Sequence, residues 1–148
     1  MNLEERITQD IKVAMKAKDK AALRALRAIK AAILLQKTDG SGQQLDEKGA
    51  IKLVQKLIKQ RNDSIEIYEK QNREDLAQTE REEVEVLKNY LPEQMSEEEI
   101  KEVVKSIIQD LAASSMKDMG KVMGVANQRF AGRADGKTIA AIVKSCLS

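Results

Sequence analysis

Apolar residues recur along this chain at intervals of three and four, the signature of amphipathic helices, and nowhere alternate with the period of two that a half-buried strand needs. Leu3, Ile7, Ile11, Ala14 and Met15 predict a first helix over about 3–17. Asp19 stands as an N-cap for a second, Lys20 to about Gln36, with Leu23, Leu26, Ile29 and Ile33 inward. A loop composition, Thr38-Asp39-Gly40-Ser41-Gly42, separates it from a long third helix, about Asp46 to Gln71, carrying Ile51, Val54, Ile58, Ile65 and Tyr68. Arg61 shares that inward stripe, either in a buried ion pair with a carboxylate or, the favoured reading, snorkelling at the core edge. A fourth helix, about Glu74 to Leu91, uses Leu76, Glu83, Leu87 and Tyr90.

Pro92 removes a helix donor and pushes Leu91 away from helical geometry, which sets a domain boundary. Ser96 to Glu99 then reads as a capping box opening a fifth helix with Ile100, Val103, Val104, Ile107, Ile108 and Leu111 inward. Met116, Met119, Met123, Ala126 and Phe130 predict a sixth, to about Ala131, and Asp135 caps a seventh that buries Ile139, Ile142, Val143 and Cys146. The expected architecture is all-α: an N-terminal helical bundle over 1–92 and a small C-terminal three-helix domain over 96–148.

Composition removes whole classes of chemistry. The chain has 148 residues and no histidine, so a Ser-His-Asp triad, a Cys-His pair and imidazole metal ligation are excluded. A lone Cys146 forms neither an internal disulfide nor a CxxC site and reads as a small core residue. No stretch approaches the ~18 apolar residues of a membrane span, so a soluble cytoplasmic protein without membrane, metal or cofactor is expected.

Net charge is only +2, but residues 1–38 sum to +5, 39–99 to −7 and 116–148 to +4. Basic ends can meet an anionic partner or the acidic middle of the same chain. In the second helix Lys20, Arg24 and Arg27 lie within about 60° of one another, a basic stripe that faces either phosphates or the acidic helices. The clustered carboxylates, Glu80 to Glu85 and Glu97 to Glu99, read as a solvated acidic face and a helix start.

The segment Ala131-Gly132-Arg133-Ala134-Asp135-Gly136-Lys137-Thr138 ends like a phosphate loop, but Gly132 precedes Gly136 with too few residues between, and no strand leads into it. Two readings stay open. In one, Gly132 takes a left-handed turn and Asp135 caps the next helix; in the other, Arg133 and Lys137 flank amides that meet a polyanion phosphate. Gly120 and Gly124 share one helical stripe and imply a close neighbour, either another helix, the favoured reading, or a ligand backbone. The scarcity of aromatics, 2%, argues against base stacking.

Over its whole length the chain resembles the YqeY-like proteins: "AMKAKDK" followed by "LRALRAIKAAI", then "YLPEQMSEEEI", then "DMGKVMG" and "GRADGKTIAAIVK". Its last third is also similar to the tail domain of the glutamine-dependent tRNA amidotransferase B subunit. That resemblance implies a helical tail that touches tRNA and performs no chemistry, with Gly120, Lys121, Met123 and Gly124 and the turn Gly132 to Lys137 matching the tail's pattern. The parts of that enzyme that catalyse and deliver ammonia have no counterpart here.

The expectation is therefore a non-catalytic accessory module for tRNA or other structured RNA, using Lys117, Lys121, Arg129, Arg133 and Lys137, with Lys20, Arg24 and Arg27 as further candidates. The alternative is a protein-interaction adaptor of a tRNA-charging or other assembly. An amidotransferase acting alone would leave its nucleophile without a base.

Overall fold

The computed structural model describes residues 2–39 and 45–148, which contain seven α-helices and no strand. They are α1 (Leu3–Ala17), α2 (Lys20–Lys37), α3 (Glu47–Lys70), α4 (Glu74–Lys88), α5 (Glu97–Asp110), α6 (Met119–Arg129) and α7 (Gly136–Leu147). The chain divides into two compact units, Met1–Leu91 and Pro92–Ser148. Of the loop expected after α2, Gly40, Ser41 and Gly42 lie outside the described residues.

In the first unit the side chain of Asn2 caps α1, Asp19 caps α2 and Asp46 caps α3, each accepting from a first-turn amide. Such a cap contributes about 1 kcal/mol. Lys18 turns the chain between α1 and α2 in the left-handed region, at φ 55°. Helix α2 packs against α1 and α4, and α3 packs chiefly on α4. Their shared core is Ile7, Ala14, Ala25, Leu26, Ile29, Ile33, Leu53, Val54 and Leu87. Met15, expected inward, is exposed because it sits one residue past Ala14, which takes the buried position.

Glu83 of α4 is buried in this unit between two arginines. Arg61 Nε lies 3.6 Å from Glu83 Oε2, and Arg24 Nε lies 3.9 Å from Oε1. The snorkelling reading of Arg61 is thereby corrected: its side chain is only 15% exposed and faces the carboxylate. Its Nη1 donates to the Leu57 carbonyl at 3.1 Å, while Nε has no hydrogen-bond partner.

The second unit is built by α5, α6 and α7 around Ile100, Val104, Ile107, Val122, Ala126, Phe130, Ile139, Val143 and Leu147. Ser96 caps α5, the Glu99 amide donating to Ser96 Oγ at 3.2 Å, but the reciprocal half of the expected capping box is replaced by Ser96 Oγ donating to Glu99 Oε1 at 3.1 Å. Leu111, expected inward, is exposed because it is the C-cap of α5, and Ala112 beyond it turns left-handed at φ 51°. The expected sixth helix is interrupted. Met116–Asp118 form a 3-10 turn, capped by Ser115, before α6 starts at Met119. The tighter winding shifts the helical phase, so Met116 faces solvent and Val122 takes the central core position. Cys146 is half-buried against the core and lines a groove of about 260 Å³ with Ile142, Ser145, Glu97, Glu98 and Lys101.

No helix among the described residues is long and apolar enough to cross a membrane. No cluster among them has three or more histidine, cysteine or carboxylate groups placed to hold a metal ion.

Candidate nucleic-acid interface

The basic candidates of the second unit are carried by the 3-10 turn Met116–Asp118, by α6, by the turn that follows it and by the first turn of α7. Helix α6 ends at Phe130, whose ring is buried, and Gly132 follows at φ 78°, a conformation that side chains with a Cβ adopt only under strain. The turn is pinned by the segment after Pro92. The Met95 amide donates to the Arg133 carbonyl at 2.9 Å, and Gln94 Nε2 donates to the Gly132 carbonyl at 2.7 Å. Arg133 Nε in turn donates to the Glu93 carbonyl at 3.2 Å, which fixes the guanidinium.

Asp135 then caps α7: its carboxylate accepts from the Thr138 amide at 2.7 Å and from Thr138 Oγ1 at 2.8 Å. The phosphate-loop resemblance of this segment thus resolves into a left-handed glycine and a helix cap. The carboxylate already compensates the positive end of α7, so an anion would be drawn by the side chains of Arg133 and Lys137 rather than by these amides.

Lys117, in the 3-10 turn, Lys121, on α6, and Lys137, in the first turn of α7, are exposed and have no carboxylate within 4.0 Å among the described residues. Arg129 is drawn aside, its Nη2 3.9 Å from Asp110 Oδ2.

Gly120 and Gly124 correct the expectation of a packed neighbour. A Cβ built on either would meet no heavy atom within 4 Å, and both residues face solvent. On helical geometry Gly120, Gly124, Asn127 and Gln128 share an outward arc of about 120° with Lys121 at its edge, opposite Val122 and Ala126. Asn127 and Gln128 were not among the sequence candidates. Their only signal was exposure on the glycine face, which becomes visible once the phase of α6 is known.

The remaining candidates belong to the other unit. Lys20, Arg24 and Arg27 all lie exposed on α2, and Arg24 Nη2 is bound to Glu82 Oε2 at 3.1 Å. The stripe is therefore split: Arg24 serves the acidic helix α4, while Lys20 and Arg27 have no carboxylate partner among the described residues.

Comparison with known proteins places these features in a family. The family described as Yqey-like protein matches residues 4–147. Among curated relatives, "Altered inheritance of mitochondria protein 41, mitochondrial" of Lachancea thermotolerans is 39% identical over 111 residues, covering 74% of this chain and 59% of its own length. Its namesake in Pyrenophora tritici-repentis is 36% identical over 131 residues, covering 87% of this chain and 71% of its own. That of Kluyveromyces lactis is 38% identical, and the match spans 60% of its length. This chain thus spans about three fifths of two of these relatives and somewhat more of the third. Neither the family description nor the relatives' names state a reaction. The expected cytoplasmic location is overturned, because these relatives are named as mitochondrial proteins. With the match running through both units, the chain belongs to the Yqey-like protein family.

Proposed function

We propose that this protein is a non-catalytic accessory module whose C-terminal unit engages the phosphate backbone of tRNA or a similarly structured RNA. The observation that carries the reading is the set of exposed lysines without ion pairs, Lys117, Lys121 and Lys137, on the same unit as a helix face kept open by Gly120 and Gly124. An open glycine face admits a ligand backbone closer to the helix than any larger side chain allows.

The mode is recognition of backbone and shape. Phe130 is the only aromatic residue of the second unit and is buried, which leaves no ring there for a base to stack on. Asn127 and Gln128 supply neutral donors and acceptors on the open face, suited to phosphate and ribose hydroxyl groups. The similarity of "DMGKVMG" and "GRADGKT" to the amidotransferase tail supports the same substrate class, with the chemistry left to another polypeptide.

Equilibrium binding of the purified chain to deacylated tRNA, followed by fluorescence anisotropy at low salt, tests the reading. Saturable binding that weakens as salt rises is expected. Absence of binding at low salt would end it.

A further inference from the structure

Among the described residues, the outward stripe of α2 is engaged by the fold only through Arg24, which meets the carboxylates of α4. Helix α2 buries Ala25, Leu26, Ile29 and Ile33 on one side. On the other side Lys20, Arg24, Arg27, Ala31 and Leu34 succeed one another at alternating intervals of four and three, with Leu35 beside them, all exposed. They fall within an arc of about 100° and extend about 22 Å along the axis, roughly two heptads of a helix-packing seam.

The stripe is polar in its sequence of chemistry. Its first half is cationic, with Lys20 and Arg27 lacking carboxylate partners among the described residues. Its second half is apolar, with Leu34 and Leu35 62% and 71% exposed. The Asp19 cap compensates the positive end of the helix, so the positive field of this half is that of the side chains, with no acidic residue in the first turn of α2 to offset them.

This pattern discriminates among occupants. A nucleic-acid backbone would satisfy the cations and leave both leucines against solvated phosphate. The stripes of two copies do not pair with each other: parallel stripes set cation against cation, and antiparallel stripes set cations against leucines. We propose that α2 is a docking helix for an acidic amphipathic helix of a different protein, whose carboxylates face Lys20 and Arg27 and whose aliphatic residues cover Ala31, Leu34 and Leu35. Arg24 exchanges its exposed contact with Glu82 for the partner or keeps it, since such a surface pair is weakly held. This docking surface lies on the first unit and stands independently of RNA binding by the second.

The test uses a fluorescently labelled synthetic helix of three heptads, with leucine at the seam positions of one half and glutamate at those of the other, titrated with the full chain. Binding is expected to weaken about tenfold or more in a Leu34→Ser, Leu35→Ser double variant and equally in a Lys20→Glu, Arg27→Glu double variant. A peptide with lysine replacing the seam glutamates should regain affinity for the second variant only. Both variants should remain helical by circular dichroism, and the Leu34→Ser, Leu35→Ser variant should bind tRNA as the parent does. Failure of the peptide to bind, equal binding by all proteins, or loss of tRNA binding in the Leu34, Leu35 variant would each overturn the proposal.

Discussion

Arg61 Nε stands 3.6 Å from Glu83 Oε2, with the two side chains only 15% and 12% exposed, so the centre of the first unit holds a charge pair rather than a purely apolar seam. Removing the carboxylate strands a buried guanidinium whose Nε already lacks a hydrogen-bond partner. Glu83→Ala is expected to destabilise the chain by about 3 kcal/mol. Glu82→Ala, which breaks the exposed contact with Arg24, is expected to cost below about 1 kcal/mol. Urea denaturation of the two variants side by side measures the difference.

Glu80 adds a second carboxyl to this cluster, beside Glu83 and within reach of both arginines. Burial first, and then the charge of Glu83, raise the Glu80 carboxyl above the usual carboxylate range, against the opposing pull of Arg61 from α3 and Arg24 from α2. A carboxyl raised in the folded state contributes stability at pH below its unfolded value and loses it as pH rises through the folded value. Glu80→Gln should therefore raise the melting temperature at pH 7, with the gain shrinking toward about pH 4, where the parent carboxyl is itself becoming protonated. A gain that grows on acidification would contradict the assignment.

Tyr90 ties the region after α4 to α1. Its hydroxyl donates to Asp10 Oδ2 at 2.5 Å, and Arg6 stacks over its ring at 5.0 Å. Burial, followed by the hydrogen bond to Asp10, raises the phenol above its ordinary value, so it remains a donor at physiological pH. Tyr90→Phe is expected to cost about 1–2 kcal/mol in thermal or chemical denaturation while leaving tRNA affinity unchanged.

Gly124 separates stability from binding. A methyl group there meets nothing within 4 Å, so Gly124→Ala should stabilise α6 by about 0.5–1 kcal/mol. If a ligand backbone approaches this face, Gly124→Gln should keep the fold and weaken tRNA binding several-fold. A glycine kept only for folding would give the opposite pairing.

The helices and their caps were legible in the sequence because both are local: Asp19, Ser96 and Asp135 bond amides within their own first turns. The phase of α6 was not. Met116, Met119 and Met123 share a period with Ala126 and Phe130, and so do Met119 and Val122; only the 3-10 turn at Met116–Asp118 decides between them. Arg61 and Glu83 meet across two helices, which periodicity cannot reveal. For the interface, the basic residues were readable but their commitments were not. Arg24 pairs with Glu82, Arg129 leans to Asp110 and Arg133 holds the Glu93 carbonyl. Gly120 and Gly124 read as packed because the absence of a neighbour is a tertiary fact.

The salt dependence of tRNA binding, compared between the parent and a Lys117→Glu, Lys121→Glu, Lys137→Glu variant, is the most direct measurement. Each phosphate contact contributes about 0.7–0.9 to the slope of log K against log salt, so losing three should flatten the slope by about 2–3 and weaken binding at every salt concentration. An unchanged slope and affinity in a variant that folds normally would contradict an interface built on these lysines.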